Sequence, residues 1–366
     1  MATSYQQGLA AINKLGGIYV LKNTSSKCVA ATTAQPLNKL IYSRILSSSD
    51  HPLVEHYRQP FKMPKTCIVI GGGISGPVAA LVLSRIGVKC TIYELRETPA
   101  TIGGAVNLTP NALRLLEYLD VKVSGCVVDA IELFSYHTGS KVGELSFRGP
   151  SGHSLRVARG ELQKALLDAV EKARIQIVYG SKLVSIEDQS DAEEVVAVFE
   201  NGSTATADLL LGCDGMYSAV RLKYVEPERI PIYTGVSTAY STVEATGIKS
   251  AIHFSQTAVN VGRYGSLLAS YTDPDHTQIY LAAVMETAEQ GSREGWKVRG
   301  KDHEKTVHEV KRRYGRSAFP CLPELLEKVE NWIFYPVCRL EPGGKWSRGR
   351  VVLLGDAAHG VCCSIA

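Results

Sequence analysis

The chain has 366 residues, enough for two domains of ordinary size. Apolar residues make up 45% of it, charged residues 21% and aromatic residues 7%, which excludes a mainly disordered, collagenous or coiled-coil protein. The 40 basic and 36 acidic side chains leave a net charge of +4, too small to indicate nucleic acid as the main partner. No apolar run is long enough for a transmembrane helix.

The nine cysteines are scattered along the chain, without a CxxC spacing. Several of them, such as Cys67 and Cys213, lie in apolar strand-like runs, which favours reduced, buried thiols over a disulfide framework. The histidines and cysteines also lack the spacing of a metal site. The sequence therefore predicts a cytoplasmic protein of enzyme size that holds no metal.

Residues 1–62 differ from the rest of the chain. They are rich in Ser and Thr, more basic than acidic, and lack a sustained helix or strand period. We expect a disordered or non-native extension that is dispensable for folding, because it can bury little apolar surface to offset its ordering entropy. Met63 would make a natural start. A mitochondrial transit peptide is the alternative, although arginine occurs only at Arg44 and Arg58.

Between residues 66 and 212, continuous apolar runs alternate with helical periodicity, which is typical of an α/β fold with a parallel sheet. Gly87 favours a helix end, and Pro110 favours the first position of a helix that Thr109 caps. The predicted strands are Cys67–Ile70, Lys89–Tyr93, Val195–Glu200 and Ala207–Gly212, and the predicted helices are Pro77–Ile86, the segment after Thr109, and Glu161–Ala173.

The second half begins with strands and returns to a buried strand at its end. Residues 230–290 are rich in Tyr, Thr, Val and Ile, which favours several strands. Val307, Val310 and Tyr314 share one face of a predicted helix, and Pro323 opens a second helix over Glu324–Asn331. Tyrosines such as Tyr233, Tyr240 and Tyr271 either line a substrate cavity or lie in the core of these strands.

A glycine-rich fingerprint follows the first predicted strand. Gly71, Gly73 and Gly76 form a GxGxxG pattern between a strand and a helix, where the glycines allow a tight turn, approach of a pyrophosphate and close helix packing. The helix N-terminus then presents free N–H groups to phosphate. Glu94 ends the second strand at the spacing expected for a carboxylate that accepts hydrogen bonds from ribose hydroxyls. The pattern predicts a site for the ADP half of FAD or NAD.

Two more motifs follow later strands. Asp214 and Gly215 lie in the stretch Leu211–Arg221, and Asp356 lies in Leu354–His359. A carboxylate at a strand end can accept a hydrogen bond from a hydroxyl group, and backbone N–H groups beside glycine can accommodate phosphate oxygens. Taken alone, the Asp-Gly pair is also compatible with a simple turn.

With these three motifs in this order, the chain resembles the flavin-dependent aromatic hydroxylases, the group A flavoprotein monooxygenases of the p-hydroxybenzoate and salicylate hydroxylase type. The resemblance extends from about Lys65 to Gly360 and is greatest to fungal secondary-metabolite and salicylate-type enzymes. Three further stretches fit the family, namely Ile102–Leu113, Val157–Leu162 and Tyr233–Gly235.

The resemblance implies an α/β fold in which a Rossmann-like FAD-binding domain carries an inserted, mainly β substrate domain. The implied ranges are 63–229 for the first, 230–335 for the second and 336–366 for the return to the first. It also implies that NAD(P)H, bound transiently, reduces FAD and that an oxygen atom of O2 is transferred to an aromatic substrate. The residues it assigns to FAD are Gly71, Gly73, Gly76, Glu94, Gly104, Ala105, Arg159, Asp214 and Asp356.

The resemblance leaves the catalytic base, the substrate and the oligomeric state undefined. Asp214 would also serve the nicotinamide cofactor, and His359 would be structural. Relatives continue after the GDAAH motif, whereas this chain departs from their pattern after Val361. We therefore expect a C-terminally truncated member with weak or no monooxygenase activity. The alternatives are an inactive flavoprotein, another FAD-dependent oxidoreductase such as a halogenase or reductase, and an NAD-dependent dehydrogenase.

Overall fold

A computed structural model describes residues 63–99, 103–147, 152–189 and 193–360. The extension predicted for residues 1–62 and the end of the chain after Gly360 lie outside the described residues. Lys65–Ala366 forms a compact unit of its own. No helix in the described ranges is long and apolar enough to cross a membrane.

A six-stranded sheet forms the centre of the Rossmann-like part. Five of its strands are parallel, and only the short edge strand β18 runs antiparallel to its neighbour. After Thr66, the residues of β1 are apolar and at most 5% exposed, as a strand covered on both faces requires. In spatial order the strands are β18 (Ser347–Arg348), β19 (Val351–Leu353), β12 (Leu209–Gly212), β1 (Thr66–Ile70), β2 (Lys89–Tyr93) and β8 (Gln176–Val178).

The register of this sheet brings several strand ends to one edge. Ile70 pairs with Gly212 on one side and with Tyr93 on the other, and Gly212 pairs with Leu353. The four loops that follow these strands therefore leave the sheet side by side, which is where open α/β sheets bind ligands.

Seven helices accompany the sheets among the described residues, along with one turn of π-helix at Arg221–Val225. The first and third pack against each other beside the parallel sheet. The helices are α1 (Ser75–Arg85), α2 (Pro110–Tyr118), α3 (Arg159–Lys172), α4 (Arg293–Lys301), α5 (His303–Tyr314), α6 (Leu322–Glu327) and α7 (Asp356–His359).

A seven-stranded sheet forms the second layer. All of its pairs are antiparallel except that of β14 with β5. One face, with Leu281 and Ala283, is fully buried against Val310 and Leu325 of α5 and α6. In spatial order the strands are β17 (Ile333–Arg339), β13 (Ile232–Glu244), β16 (Gln278–Glu286), β15 (Gly265–Tyr271), β14 (Thr257–Gly262), β5 (Ala130–Ser135) and β6 (Lys141–Ser146).

Two small antiparallel sheets complete the fold. The first pairs β3 (Ala105–Leu108) and β4 (Cys126–Val128) with the central strand β7 (Ser154–Ala158). The second is a meander of β9 (Leu183–Gln189), β10 (Glu194–Phe199) and β11 (Thr204–Ala207).

The predicted fold class is confirmed, and two predicted elements need correction. The strand expected over Ala207–Gly212 is divided, because the Asp208 carboxylate accepts a hydrogen bond of 2.8 Å from the backbone N–H of Thr66 where the chain changes sheets. The helix expected over Glu324–Asn331 ends at Glu327, since the chain turns to bury Trp332, which is 1% exposed.

The division into domains at residues 230 and 335 stays a prediction. The seven-stranded sheet also includes β5 and β6, which lie in the range assigned to the FAD-binding domain, and β17 continues to Arg339.

Candidate functional site

The loop after β1 has the geometry that its glycines predict. Gly71 has a φ of 111°, and a Cβ there would lie 2.5 Å from the carbonyl oxygen of Cys213. A Cβ at Gly76 would collide with the carbonyl oxygen of Gly71, so helix α1 can pack this closely only with glycine. A Cβ at Gly73, in contrast, would meet nothing within 4 Å. The loop is thus fixed at its ends by the protein and open at its centre.

Two side chains hold this loop from neighbouring elements. The Glu94 carboxylate, at the end of β2, accepts hydrogen bonds from the backbone N–H groups of Gly72, at 2.7 Å, and Arg96, at 3.0 Å. The Gln163 amide donates to the carbonyl oxygen of Gly72 at 3.1 Å from the first turns of α3. Glu94 therefore lies beside the glycine loop, where a ribose next to a bound pyrophosphate would be found.

The Asp214 carboxylate is engaged by its own loop. Its Oδ1 accepts a hydrogen bond of 2.5 Å from the Ser218 hydroxyl, and its Oδ2 accepts one of 3.1 Å from the backbone N–H of Val220. Burial raises the pKa of Asp214, and these hydrogen bonds oppose the shift. The adjacent Gly215 has a φ of 77° and open space where a Cβ would be. Backbone near Gly215 is thus more available to a ligand than the carboxylate.

The Gly355–Asp356 motif contacts the helix that follows the glycine loop. Gly355 has a φ of 60°, and a Cβ on it would collide with the hydroxyl of Ser75, the first residue of α1. Asp356 follows at the start of α7 and is exposed. The ends of β1, β12 and β19 therefore bring the Gly71, Asp214 and Asp356 loops together at one sheet edge.

A second group is formed by the remaining residues that the resemblance assigns to FAD, namely Gly104, Ala105 and Arg159. The backbone N–H of Arg159, at the start of α3, donates to the carbonyl oxygen of Gly104 at 2.9 Å, and Ala105 pairs with Ala158 in the β3–β7 ladder. The two groups are connected through α3, since Gln163 lies one helical turn after Arg159 and contacts Gly72.

The second face of the seven-stranded sheet looks toward this group. Tyr240, Tyr280 and Tyr335 project from the same face of β13, β16 and β17, as their register requires, and we call them the tyrosine face. A Cβ at Gly104 would collide with the Tyr280 ring. Burial raises the pKa of Tyr240 to about 12, the nearby tyrosines add to the shift, and the positive charge of Arg159 opposes it.

The other tyrosines considered from the sequence have structural surroundings. Tyr271 is 7% exposed in the core beside Phe254, with a ring distance of 5.2 Å. Tyr233 donates from its hydroxyl to the carbonyl oxygen of Thr287 at 3.0 Å and packs on Trp296. Only Tyr240 of the three lies on the face that meets Arg159.

Sequence analysis did not identify Gln163, Tyr280 or the buried Arg221. Gln163 and Tyr280 have no local signal, because their positions beside the glycine loop and Gly104 depend on tertiary packing. Arg221 lies within the Leu211–Arg221 motif and could have been singled out by its fixed distance from Asp214.

A separate cavity of about 1060 Å³ lies between α5 and the hairpin turns of the seven-stranded sheet. None of the predicted cofactor residues lines it. Its walls come from two hairpins and α5, and include Tyr136, Arg263, His308, Lys311 and Arg316.

The match to a known family begins just before β1. Residues 65–365 match the FAD binding domain family. The chain is 26% identical over 303 residues to 3-hydroxybenzoate 6-hydroxylase from Klebsiella oxytoca, covering 80% of this chain and 73% of that protein. It is 27% identical over 306 residues to an FAD-dependent urate hydroxylase from Mycolicibacterium vanbaalenii, covering 80% and 73%.

Solved structures show the same fold. HpxO from Klebsiella pneumoniae, determined with FAD and uric acid, has a TM-score of 0.68 at 24% identity and covers 80% of this chain and 73% of its own. The 2,6-dihydroxypyridine-3-hydroxylase from Arthrobacter nicotinovorans has a TM-score of 0.67 at 20% identity, with coverage of 81% and 78%.

These matches confirm the predicted fold and FAD as the cofactor. The family match alone spans most of the sequence, including all three strand-end motifs. The chain belongs to the FAD binding domain family, among its flavin-dependent monooxygenases.

Proposed function

We propose that this chain uses FAD, O2 and NAD(P)H to hydroxylate an aromatic small molecule in the space between the β3–β7 strands and the tyrosine face. The observation on which the proposal rests is the convergence of the Gly71, Asp214 and Asp356 loops at one sheet edge, next to a half-buried aromatic face. Its relatives include enzymes that hydroxylate aromatic rings, such as 3-hydroxybenzoate 6-hydroxylase and 6-hydroxynicotinate 3-monooxygenase.

The glycine loop fits the pyrophosphate of FAD. Helix α1 begins without a side-chain cap from any described residue, so its first N–H groups remain to be satisfied by a ligand. A Cβ at Gly73 would meet nothing within 4 Å, so the backbone of the loop is open to a phosphate group there. Glu94 would hold the ribose, since each of its oxygens accepts one backbone hydrogen bond and retains a second lone pair.

The second group of residues fits the planar end of the cofactor. Gly104 and Ala105 present backbone without bulky side chains, and Arg159 starts α3 beside them. The Tyr280 ring of the tyrosine face packs against Gly104 from the other layer. When bound, FAD supplies electron transfer and the activation of O2. The protein's part is to orient the aromatic ring and exclude water.

Tyr240 would act there as a neutral hydrogen-bond donor. Burial raises its pKa to about 12, so its phenol keeps its proton at any physiological pH. Arg159 lies close enough to lower that pKa in part, and it would provide the positive charge of the site. The sequence contains no second GxGxxG, which supports transient binding of NAD(P)H without a Rossmann domain of its own.

The cysteines support a reducing compartment such as the cytoplasm. Cys67, Cys90, Cys126, Cys213 and Cys321 are free and buried, and Cys338 is free and half-buried, within the ranges that the structure describes.

The proposal is tested on purified protein in three steps. Its absorbance spectrum should show oxidised flavin, and acid extraction should release FAD and not FMN. NADPH or NADH oxidation should accelerate when phenols or aromatic acids are added, and 18O2 should label the product. A flavin-free protein, or labelled oxygen found only in peroxide and water with every aromatic compound tried, would reject the proposal. Gly87→Asn, outside the site, serves as the control variant.

A further inference from the structure

The cavity of about 1060 Å³ beside α5 lies apart from the proposed substrate space. Val310 of α5 packs with Leu281 in the core beneath the seven-stranded sheet. Leu281 and Tyr280 are neighbours on β16 and therefore project to opposite faces, so α5 covers the face opposite the tyrosine face. A molecule held beside α5 is separated from Tyr240 and Tyr280 by the sheet, and it would occupy a second site.

Two hairpin turns wall this cavity, and both are fixed to α5 and the segment that follows it. The backbone N–H of Ala318 donates to the carbonyl oxygen of Tyr136 at 2.9 Å, and the Arg313 guanidinium donates to that of Tyr264 at 3.1 Å. A Cβ at Gly139 would collide with the carbonyl oxygen of Ala318, so the β5–β6 turn can lie this close only with glycine. The cavity is therefore preformed, which lowers the entropy cost of ordering it around a ligand.

Positive charge predominates among the side chains that line the cavity. The cations are Arg263, Lys311, Arg312 and Arg316, and the acids are Glu304 and Glu330. Lys311 pairs with Glu327 at 2.7 Å and Arg312 with Glu309 at 2.9 Å, and neither of these carboxylates lines the cavity. Two of the four cations are thus satisfied by the protein from outside the cavity.

The other two cations, Arg263 and Arg316, form no ion pair within the described part of the chain. The Arg263 guanidinium lies over the neighbouring Tyr264 ring, 4.5 Å from its centroid, and donates to the Tyr264 hydroxyl. Arg316 follows α5, and its side chain makes no hydrogen bond to a described residue. Two guanidinium groups from different segments therefore line one cavity without a carboxylate partner.

Two tyrosines line the cavity together with these cations. Tyr136 and Tyr264 lie in adjacent turns, because the backbone N–H of Tyr136 donates to the carbonyl oxygen of Val261 at 2.9 Å, and both are half-buried. Val307 adds an apolar contact from α5. The Tyr136 ring and the Arg263 guanidinium are flat groups of the kind on which aromatic bases stack. The cavity thus combines unpaired positive charge with surfaces suited to a planar ring.

We infer that this cavity is a binding site for a nucleotide, with the phosphate group held by Arg263 and Arg316 and the base against the tyrosines. A phosphate monoester has up to two negative charges and three acceptor oxygens, which match two unpaired arginines better than one carboxylate does. Ligand pockets typically measure about 300–1,000 Å³, so this cavity has room for base, ribose and phosphate together. The inference goes beyond the proposed function, since none of the residues assigned to FAD lines the cavity.

Calorimetric titration of protein saturated with FAD tests the inference, because the site for the ADP half of FAD is then filled. AMP, adenosine and ribose 5-phosphate serve as probes. AMP should bind more tightly than either of the other two, since only AMP contacts both the arginines and the tyrosines. Its affinity should fall as the salt concentration rises, because both arginines are exposed to solvent.

Matched variants show whether AMP binds in this cavity. Arg263→Gln and Arg316→Gln should each raise the dissociation constant of AMP by about tenfold. Arg348→Gln is the control, because the Arg348 guanidinium lies 4.7 Å from the Tyr224 ring centroid in the same kind of contact but does not line the cavity. Tyr136→Leu should weaken AMP and leave the affinity for ribose 5-phosphate unchanged.

Thermal unfolding provides a readout that does not depend on activity. Without ligand, Arg263→Gln and Arg316→Gln should melt at the wild-type temperature, since neither arginine has an ion-pair partner to lose. AMP should raise the melting temperature of the wild type and of Arg348→Gln more than that of the two cavity variants.

The outcomes separate this inference from the proposed function. Absence of AMP binding would overturn the inference, and so would AMP binding that both cavity variants leave unchanged, which would assign the nucleotide to another site such as that of NAD(P)H. Ribose 5-phosphate binding as tightly as AMP would also overturn it, because the tyrosines would then take no part. Protein that hydroxylates no aromatic compound rejects the proposed function and leaves the result for this cavity unaffected.

Discussion

The Arg221 guanidinium donates through Nη1 to the carbonyl oxygen of Ala357 at 2.7 Å, and so joins two motifs 136 residues apart. Its Nη2 donates to the carbonyl oxygen of Met216 at 2.5 Å, and its Nε to that of Arg229 at 3.0 Å. One buried side chain thus fixes the loop after Asp214 to helix α7, which begins at Asp356. The relative position of two of the three strand-end loops depends on it.

Replacement of this arginine should therefore affect stability and cofactor binding together. Arg221→Leu leaves one buried and two part-buried carbonyl oxygens without this donor, and we expect the free energy of unfolding to fall by about 3 kcal/mol. FAD should be lost on gel filtration, because the Asp356 loop is no longer held. Urea unfolding and flavin retention measure the two effects.

The control for Arg221 is an arginine in a surface pair. Arg339 and Glu341 lie 2.8 Å apart with side chains 51% and 50% exposed, and exposed pairs of this kind contribute about 0–1 kcal/mol. Arg339→Leu should thus have little effect on either measurement. Equal effects of the two variants would contradict the role given to Arg221.

The parallel sheet and its loops could be predicted from the sequence because their signals are local. A strand buried on both faces must be apolar, as β1 is from Cys67 to Ile70, and a phosphate-binding turn needs glycine at fixed positions. Glu94 follows from the same reasoning, since the end of β2 must lie beside the end of β1. The predicted bounds of β1 and β2 lie within one residue of those in the structure.

The second layer could not be predicted to the same depth. Tyr240 and Tyr271 both lie in strands with similar composition, yet one faces Arg159 and the other lies in the core, which only the register decides. Tyr280 gives no signal either, because its contact with Gly104 depends on how the two layers pack. Such positions depend on which sheet covers which strand.

The glycines of the first loop should separate folding from cofactor binding. Gly73→Ala places a methyl group in open space, so we expect apoprotein stability close to that of the wild type. The same methyl group would lie where the pyrophosphate approaches, and the dissociation constant of FAD should rise by about tenfold, equivalent to about 1.4 kcal/mol. Calorimetric titration of apoprotein with FAD measures this change.

Gly76→Ala is the matched variant for folding. Its methyl group would collide with the carbonyl oxygen of Gly71, so α1 must move away from β1 and the apoprotein should lose stability. Gly73→Ala should therefore have the more stable apoprotein. Gly76→Ala should bind FAD more tightly once the affinity is corrected for the fraction of unfolded protein. If Gly73→Ala is the less stable apoprotein, the loop geometry described here is wrong.

Glu94 should distinguish FAD from FMN. Glu94→Ala removes the hydrogen bonds expected to the adenosine ribose, and we expect FAD binding to weaken by roughly 1.5–3 kcal/mol. FMN lacks that ribose, so its affinity should be the same in both proteins. Fluorescence titration of the apoprotein with each flavin compares them. A parallel loss for FMN would show that Glu94 acts only by holding the Gly72 backbone.

The Tyr240 phenol should titrate at unusually high pH. Burial raises its pKa from 10 to about 12, with a further contribution from the nearby Tyr335 and Tyr280 and an opposing one from Arg159. The pKa is higher in the folded than in the unfolded protein, so the stability due to neutral Tyr240 is fully present below pH 10 and is lost as the pH rises through about 12.

Difference titration isolates this group. Tyrosinate absorbance is followed against pH in the wild type and in Tyr240→Phe, and the difference between them should develop near pH 12 in folded protein. In concentrated urea the same difference should move to about pH 10, the value of an unperturbed tyrosine. A difference that already develops near pH 10 in the folded protein would mean that Tyr240 is solvated. The tyrosine face would then be too wet to serve as the wall of a hydroxylation site.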